Sequence, residues 1–279
     1  MMQRISSFNC GKYQLDFSLP IIMGIVNVTP DSFSDGSQYL QRDAALSHAH
    51  QLISEGANIL DLGGESTRPG AEAVSVQEEL DRVMPVIEGL RGSPVPLSID
   101  TSKPEVMRAA IAAGASMVND IEAMQNPEAL TVVAAGEVAV CLMHKQGTPQ
   151  TMQKQPQYQN VVEEVLQFLR ERIIAVQEAG VNRSQIMIDP GFGFGKTLAH
   201  NLAMLRQLKE FSELGVPLLV GLSRKSMLGA ITGQDVAHRV HASIAAALLA
   251  VQRGANVLRV HDVRATADAL KIWQAVNTL

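Results

Sequence analysis

The sequence has few cysteines and few aromatic residues. Among its 279 residues are two cysteines, Cys10 and Cys141, and only 4% of the residues are Phe, Trp or Tyr. Two cysteines exclude a disulfide framework and a four-cysteine zinc site. Cys141 lies in the apolar run 138–143, so we expect it to be a small buried hydrophobe.

Basic clusters and long apolar runs are also missing. The formal net charge is -5, and no run of five to eight Lys or Arg residues occurs, which argues against nucleic-acid binding. No apolar run approaches the roughly 18 residues of a membrane span. The first ten residues lack the apolar core of a signal peptide. We therefore expect a cytoplasmic protein that binds neither nucleic acid nor membrane.

What the sequence does have is a repeat in which a helical segment ends at a glycine and an apolar strand follows. Gly56, Gly114 and Gly254 show it most clearly. Glycine is typical of such a helix end because it adopts positive φ without a Cβ clash. The predicted strands are 21–28, 57–63, 96–101, 116–120, 139–144, 185–190, 217–223 and 257–262. The predicted helices are 41–55, 76–90, 104–113, 127–135, 160–179, 199–212, 238–252 and 264–276.

Eight β/α units in about 260 residues predict an α/β fold, a (β/α)8 TIM barrel. We expect a single domain over 1–279, with the barrel at about 20–271. Residues 1–20, with alternating Tyr13, Leu15 and Phe17, are predicted to form an N-terminal β-hairpin that closes the bottom of the barrel. A doubly wound open sheet is the competitor, but the glycine-rich segment 191–195 lacks the spacing of a dinucleotide fingerprint.

Polar or ionisable side chains follow every predicted strand at its carboxyl end. They are Asn27, Asp61, Asp100, Asn119 with Asp120, His144, Asp189, Ser223 with Lys225, and Arg259 with His261. In a TIM barrel these ends meet at one face, where active sites lie. The pattern therefore predicts an enzyme or a ligand-binding protein. For Asp61 and Asp189, the alternative that they only cap loops stays open. For His144, the alternative that it is a buried core histidine stays open.

These side chains fall into groups with different chemistry. Carboxylates and an amide suit a neutral heterocycle rich in N–H donors, and the members are Asp61, Asp100, Asp189 and Asn119. Cations and hydroxyls suit an anion such as phosphate, and the members are Thr67, Arg68, Ser223, Lys225, Arg259 and His261. Asn27, with the aspartates of the following loop, is suited to a hard cation such as Mg2+. The inventory predicts a substrate with a ring and a phosphate.

Several segments carry a family resemblance. Residues 23–36 read MGIVNVTPDSFSDG and residues 61–70 read DLGGESTRPG. Five further blocks follow in order: SIDT at 98–101, VNDI at 118–121, DPGFGFGK at 189–196, SRKS at 223–226 and RVHD at 259–262. Together they span about 20–270 and resemble the dihydropteroate synthase family.

The resemblance implies a (β/α)8 enzyme of folate synthesis. It would join 4-aminobenzoate to 6-hydroxymethyl-7,8-dihydropterin pyrophosphate in a dissociative substitution, giving 7,8-dihydropteroate and pyrophosphate. It also implies Mg2+ as cofactor, a homodimer, and a 4-aminobenzoate site that binds sulfonamides. Loops 29–37 and 64–73 are expected to close over the site and exclude water.

By position, the resemblance also implies residue roles. The catalytic residues would be Asp31, Asp35, Lys225, Arg259 and His261. The pterin-binding residues would be Asp61, Asp100, Asn119, Met143, Asp189, Phe194 and Lys225. The pyrophosphate-binding residues would be Asn27, Thr67, Arg68, Arg259 and His261, with Asn27 also holding the metal. The 4-aminobenzoate-binding residues would be Phe33, Pro69, Lys225 and Ser226.

Three other interpretations stay open at this point. The first is a methyltetrahydrofolate-binding barrel. This interpretation does not account for Arg259 with His261 or for Thr67 with Arg68, which suit a pyrophosphate. The second is a Schiff-base aldolase that uses Lys225. The third is a non-catalytic pterin binder, which would release no pyrophosphate when 4-aminobenzoate is added.

Overall fold

The structure is a computed structural model, and it describes residues 6–29, 38–66, 71–147, 152 and 156–277. The strands within these ranges are β1 (Ser7–Cys10), β2 (Tyr13–Asp16), β3 (Ile21–Asn27), β4 (Ile59–Gly63), β5 (Leu97–Asp100), β6 (Met117–Asp120), β7 (Ala139–Met143), β8 (Ile186–Asp189), β9 (Leu219–Val220) and β10 (Val257–Val260). The α-helices are α1 (Gln38–Ser54), α2 (Val76–Gly89), α3 (Pro104–Ala113), α4 (Pro127–Gly136), α5 (Val161–Glu178), α6 (Leu198–Arg206), α7 (Ser226–Thr232), α8 (Val240–Val251) and α9 (Val263–Asn277).

Strands β3 to β10 form one parallel sheet that closes into a barrel. Their order is β8-β7-β6-β5-β4-β3-β10-β9, and a parallel bridge between Ile188 and Leu218 joins β8 to β9. The predicted TIM barrel is confirmed. β9 is much shorter than the predicted strand 217–223. Pro217 has no N–H to donate, and the Leu218 N–H donates to the Asn256 side chain rather than to a strand.

Alternation along the strands separates two apolar layers. Side chains that point outward from the barrel, such as Val26, Leu62 and Ile99, pack against the surrounding helices. Side chains that point inward, such as Met23 and Met117, form a smaller core inside the lower barrel. This two-sided burial is why the strand sequences are continuously apolar rather than alternating.

The N-terminal hairpin closes the bottom of the barrel, as predicted. β1 and β2 pair antiparallel, with Phe8 opposite Leu15. Phe8, Cys10 and Phe17 are buried against the inward-facing core residues, whereas Tyr13 and Leu15 are only partly buried. The buried face of the hairpin therefore comes mainly from β1. Cys141 is fully buried in the same core, as expected.

The helices begin and end largely where the sequence indicates. Ser75 caps α2 by accepting from the Glu78 N–H, and Gly114 ends α3 at φ 116°. The predicted helix 199–212 is instead α6 followed by a 3-10 helix, Leu208–Leu214, and α7 was not predicted. α7 is only seven residues long, too short to show a helical period. No helix in the described part of the chain is long and apolar enough to cross a membrane.

Candidate active site

Above the apolar inner core lies a layer of inward-facing polar side chains at the carboxyl ends of the strands. Strand register sets this layer: Asp61 is opposite Ile25, Asp100 is opposite Asn119, and Met143 is opposite Asp189. Asp61 is fully buried, and Asn119 and Asp189 nearly so. The side chains that the sequence assigns to a ring-shaped ligand are therefore brought to one mouth.

Arg259 lies at the centre of this layer. Its Nε donates to Asp61 Oδ2 at 2.6 Å, and its Nη2 donates to Asp100 Oδ2 at 2.6 Å. Asn119 Nδ2 also donates to Asp61 Oδ2, at 3.1 Å. Asp61 Oδ1 has no hydrogen-bond partner among the described residues. The two ion pairs compensate the cost of placing the guanidinium inside the barrel.

The titration of the carboxylates reflects the competition between burial and nearby cations. Burial raises the pKa of Asp100 to about 7, although Arg259 acts to lower it. Burial also raises the pKa of Asp189, and here Lys225 is the main opposing charge. For Arg259, burial acts to lower the pKa, but Asp61 and Asp100 outweigh it and raise the pKa. The arginine is therefore charged throughout the physiological range.

Lys225 is half-buried on the β9 side of the mouth. Its Nζ donates to the Phe192 carbonyl oxygen and lies 4.6 Å from the centroid of the Phe194 ring. Burial lowers the pKa of Lys225 to about 8, against the opposing effect of Asp189. The preceding Arg224 has φ 58°, and its guanidinium forms two hydrogen bonds to the Asp262 carboxylate, at 3.0 and 2.5 Å.

His261 and Asn27 complete the described rim. The His261 N–H donates to Ser223 Oγ at 3.2 Å, and His261 Nδ1 lies 3.0 Å from the same hydroxyl. A Cβ placed on Gly63 would lie 3.9 Å from Asn27 Oδ1 and 3.9 Å from Asp100 Oδ2. A side chain at position 63 would therefore begin in van der Waals contact with both the amide and the carboxylate, so Gly63 keeps these two groups uncovered.

The donor set at Asn27 fits a magnesium ion. Among the described residues no group of three His, Cys, Asp or Glu side chains could hold a metal. Mg2+ does not need such a cage, because it commonly keeps several waters and binds one or two protein oxygens together with substrate phosphates. A single amide oxygen at the open mouth matches that mode.

The remaining predicted site residues differ in position. Met143 is buried at the carboxyl end of β7. Phe194 is half-buried beside Lys225, and Ser226 is exposed at the start of α7. Six predicted site residues lie outside the described residues, and they are Asp31, Phe33, Asp35, Thr67, Arg68 and Pro69.

Two of the strand-end residues face away from the mouth. Asp120 accepts the Glu122 and Met124 N–H groups and orders the loop after β6. His144 lies outside the barrel wall, 5.0 Å edge-on from Phe168, with its Nδ1 3.0 Å from Lys196 Nζ. Its alternative interpretation as a core histidine is the one confirmed. Both follow an inward-facing residue, so the alternation turns them outward.

The sequence analysis missed an ion-pair network beside the β4 end. Lys103 Nζ lies 2.5 Å from Glu65 Oε2 and 2.5 Å from Glu79 Oε2. Glu79 is fully buried on α2, and Arg82 donates to the Gly64 carbonyl oxygen at 2.7 Å. The Val74 N–H donates to Glu65 Oε1, so Glu65 joins the two sides of the 67–70 segment. The available signal in the sequence was Glu79, because a carboxylate at a core-facing position of an amphipathic helix indicates a buried ion pair.

Comparisons with known proteins agree with this geometry. The model of a family described as pterin binding enzyme matches residues 23–261. The chain is 51% identical to a dihydropteroate synthase of Haemophilus influenzae over 94% of this chain and 95% of that one. It is 48% identical to the dihydropteroate synthase of Escherichia coli, over 94% and 93% of the two chains.

Solved structures give the same result. A dihydropteroate synthase of Xanthomonas albilineans with 4-aminobenzoic acid superposes with a TM-score of 0.93 and 54% identity, over 98% of this chain and 99% of that one. A second structure from that organism, in complex with 7,8-dihydropteroate, has a TM-score of 0.90 and 51% identity over the same shares. A Yersinia pestis dihydropteroate synthase with a sulfonamide drug complex has a TM-score of 0.93 and 46% identity, over 98% of this chain and 100% of that one.

Proposed function

Because the chain belongs to the pterin-binding enzymes and, within them, to the dihydropteroate synthases, we propose that the polar mouth of its barrel is where 4-aminobenzoate is joined to 6-hydroxymethyl-7,8-dihydropterin pyrophosphate. The products are 7,8-dihydropteroate and pyrophosphate. The observation that carries this placement is that Asp100, Asn119, Asp189, Lys225 and Arg259 lie together at the carboxyl ends of the strands.

The pterin ring binds to the inward-facing carboxylates and amide. A pterin presents ring N–H groups and an exocyclic amine, which pair with the acceptors of Asp100, Asn119 and Asp189. Lys225 supplies a donor for the acceptor atoms of the ring. The other proposed contacts of the ring are Met143, Phe194 and Asp61, the last of which also holds Arg259 and Asn119 in place.

The pyrophosphate binds on the β10 side of the mouth. Two of the five N–H groups of Arg259 donate to Asp61 and Asp100, and we assign the others to the phosphate oxygens. His261, Thr67 and Arg68 supply further donors, and Asn27 holds the magnesium ion. That ion, when bound, supplies positive charge to the leaving pyrophosphate.

The reaction needs no protein nucleophile. The bond between the pterin methylene carbon and the pyrophosphate oxygen breaks first, and its electron pair leaves with the pyrophosphate. The neutral aniline nitrogen of 4-aminobenzoate then forms the C–N bond and loses its proton to the surroundings. Arg259 and His261 stabilise the leaving anion, while the buried carboxylates, together with Asp31 and Asp35, stabilise the pterin cation.

The 4-aminobenzoate site is proposed at the outer rim. Phe33, Pro69, Lys225 and Ser226 shape it, and sulfonamides occupy the same place. We propose that loops 29–37 and 64–73, of which 30–37 and 67–70 lie outside the described residues, close over the site and keep water from capturing the cation. The Glu65–Lys103–Glu79 network supports this because it fixes the segments on both sides of 67–70.

We further propose that the chain is a single domain, resides in the cytoplasm and forms a homodimer through α8 and α9. Leu249 on α8 and Ile272 and Val276 on α9 are exposed apolar side chains, and the two helices pack against each other. Trp273 is partly buried against the core and Val251 is buried, so neither supplies much of such a face. Light scattering of Ile272→Glu tests this, with a monomer expected.

A pyrophosphate-release assay with both substrates tests the residue assignments. Wild type is expected to release pyrophosphate only when 4-aminobenzoate and the pterin pyrophosphate are both present. Lys225→Ala is expected to weaken pterin binding and to reduce kcat/KM by about 100-fold or more, because it removes a donor and a charge aimed at the substrate. An undiminished rate for Lys225→Ala would refute its role, and an adduct trapped by borohydride would favour aldolase chemistry.

A further inference from the structure

The turn between β8 and α6 is built on glycines that cannot hold its shape by themselves. Gly191, Gly193 and Gly195 have φ values of 72°, 84° and 62°. Glycine enters this region readily, but it also loses the most conformational freedom when it is fixed there. A turn with three such residues in five positions therefore depends on contacts from outside the turn.

The buried ammonium group of Lys196 supplies these contacts. Lys196 is 2% exposed, and its Nζ donates to Gly191 O at 2.9 Å and Phe194 O at 3.0 Å and lies 3.0 Å from His144 Nδ1. These three acceptors and a fourth, His144 O at 3.4 Å, surround the nitrogen and favour its ammonium form with three N–H donors, although burial lowers the pKa of Lys196 to about 7. Burial lowers the pKa of His144 to about 3, so this histidine is neutral and its Nδ1 can accept.

The turn lies directly on the chain that leaves β7. A Cβ on Gly191 would lie 1.8 Å from His144 O, and a Cβ on Gly195 would lie 2.4 Å from Gln146 O. No side chain fits at either position. Asn201 adds a further contact, since its Oδ1 accepts the Gly193 N–H at 2.7 Å. The turn is thus fixed between the outer wall of the barrel and α6.

The opposite face of the turn points at Lys225. The Phe192 carbonyl oxygen accepts from Lys225 Nζ, and the Phe194 ring lies 4.6 Å from the same atom. A displacement of the turn would therefore move two of the contacts that orient the Lys225 ammonium group. Lys196 makes no hydrogen bond to a residue of the proposed pterin site apart from the Phe194 carbonyl oxygen.

We propose that Lys196 is a positioning residue for pterin binding, which fixes the 191–195 turn and through it the ammonium group of Lys225. The inference rests on the role proposed above for Lys225 in holding the pterin. Lys196 reaches the substrate through the turn, by way of Phe192, Phe194 and Lys225 and by way of the Gly191 N–H, which donates to Asp189 Oδ1 at 2.7 Å. Its loss is therefore expected to affect pterin binding selectively.

The first test compares two cations that bind loop carbonyls, Lys196, which is buried, and Arg172, which is half-buried. Lys196→Met removes the three donors and keeps the apolar stem. The matched control is Arg172→Met, because Arg172 donates to Ala123 O at 2.8 Å and Met124 O at 2.5 Å in the loop after β6 and has no contact with Lys225. Lys196→Met is expected to raise the KM for the pterin pyrophosphate about tenfold, with the KM for 4-aminobenzoate within about twofold of wild type.

The control separates positioning from general loosening. Arg172→Met is expected to lower the melting temperature while it leaves the pterin KM within about twofold of wild type. An equal rise in the pterin KM for both variants would overturn the proposal. If Lys196→Met does not fold, Lys196→Gln replaces it, since an amide keeps two N–H donors, and an intermediate rise in KM is expected.

A double-mutant cycle with Lys225→Met, read as pterin affinity by calorimetry, tests the pathway. The Lys196 substitution is expected to weaken binding in wild type and to have a clearly smaller effect once Lys225 is replaced, with the remainder carried by the Gly191–Asp189 hydrogen bond. Equal effects in both backgrounds would overturn the inference. If Lys225→Met alone leaves pterin affinity unchanged, the role of Lys225 in the proposed function fails instead, and the proposal about Lys196 fails with it.

Discussion

The two ends of the barrel are made by the same eight strands and yet differ completely in chemistry. At the bottom, Met117 and Cys141 of the barrel strands pack with Phe8 and Cys10 of the N-terminal hairpin in one apolar core. At the mouth, two residues further along β6 and β10, the same inward-facing positions hold Asn119 and Arg259. Stability and chemistry are thus separated along the barrel axis, which allows each end to be perturbed by itself.

The largest effect is expected from Arg259→Met at the mouth. It removes the cation proposed to hold the pyrophosphate and leaves Asp61 and Asp100 without their ion pairs. We expect kcat/KM to fall by about 1,000-fold, because a donor aimed at the developing charge is lost. Arg259→Lys keeps the charge but cannot bridge both carboxylates, so an intermediate loss is expected. Steady-state pyrophosphate release measures both, and wild-type rates for Arg259→Met would contradict the assignment.

The second-largest effect is expected at the bottom of the barrel, where a substitution reduces stability and leaves the KM values unchanged. Phe8→Ala removes a fully buried ring from beneath the barrel, which is expected to reduce the free energy of unfolding by about 3–5 kcal/mol. Denaturant unfolding measures the loss. The KM values of the folded variant are expected to match those of wild type, and a selective change in pterin KM would show that the two ends are coupled.

The smallest effect is a pH dependence at the mouth. With a pKa of about 7, Asp100 gains carboxylate character as the pH rises, and a carboxylate accepts the pterin N–H donors better than the neutral acid does. The ratio of pterin affinities, wild type over Asp100→Asn, is therefore expected to rise by at most about tenfold per pH unit below pH 7 and to level off above it. Titration calorimetry from pH 5.5 to 8.5 measures the two affinities. Their ratio is compared because other groups titrate in both proteins and their effects cancel. A flat ratio would mean that Asp100 is already ionised.

The sequence predicted much of this fold because each β/α unit carries its own local signals. Gly114 ends α3, Ser75 begins α2, and the apolar runs mark the strands. The start of β9 was predicted too early because the Leu218 N–H is taken by Asn256, which lies 38 residues away in the sequence. Long-range side-chain contacts of this kind leave no local pattern.

The site was predictable only as far as the sequence shows which residues of each strand face inward. Asn119 and Asp120 are adjacent, and only one of them can face the mouth, so a list of strand-end residues necessarily contained both. Lys196 was missed for another reason. Its contacts with His144 and Gly191 exist only after three positive-φ glycines fold the turn back onto β7.

The hairpin beneath the barrel has a consequence for the path by which substrates enter and products leave. Phe8 and Phe17 close the lower end, and inward-facing apolar side chains fill the interior above them, so the barrel is accessible only at the carboxyl ends of its strands. Under the proposed function, both substrates therefore enter and both products leave at the mouth of the barrel. If 4-aminobenzoate binds at the outer rim, as proposed, it stands in the path of the pterin, so we expect the pterin pyrophosphate to bind before 4-aminobenzoate.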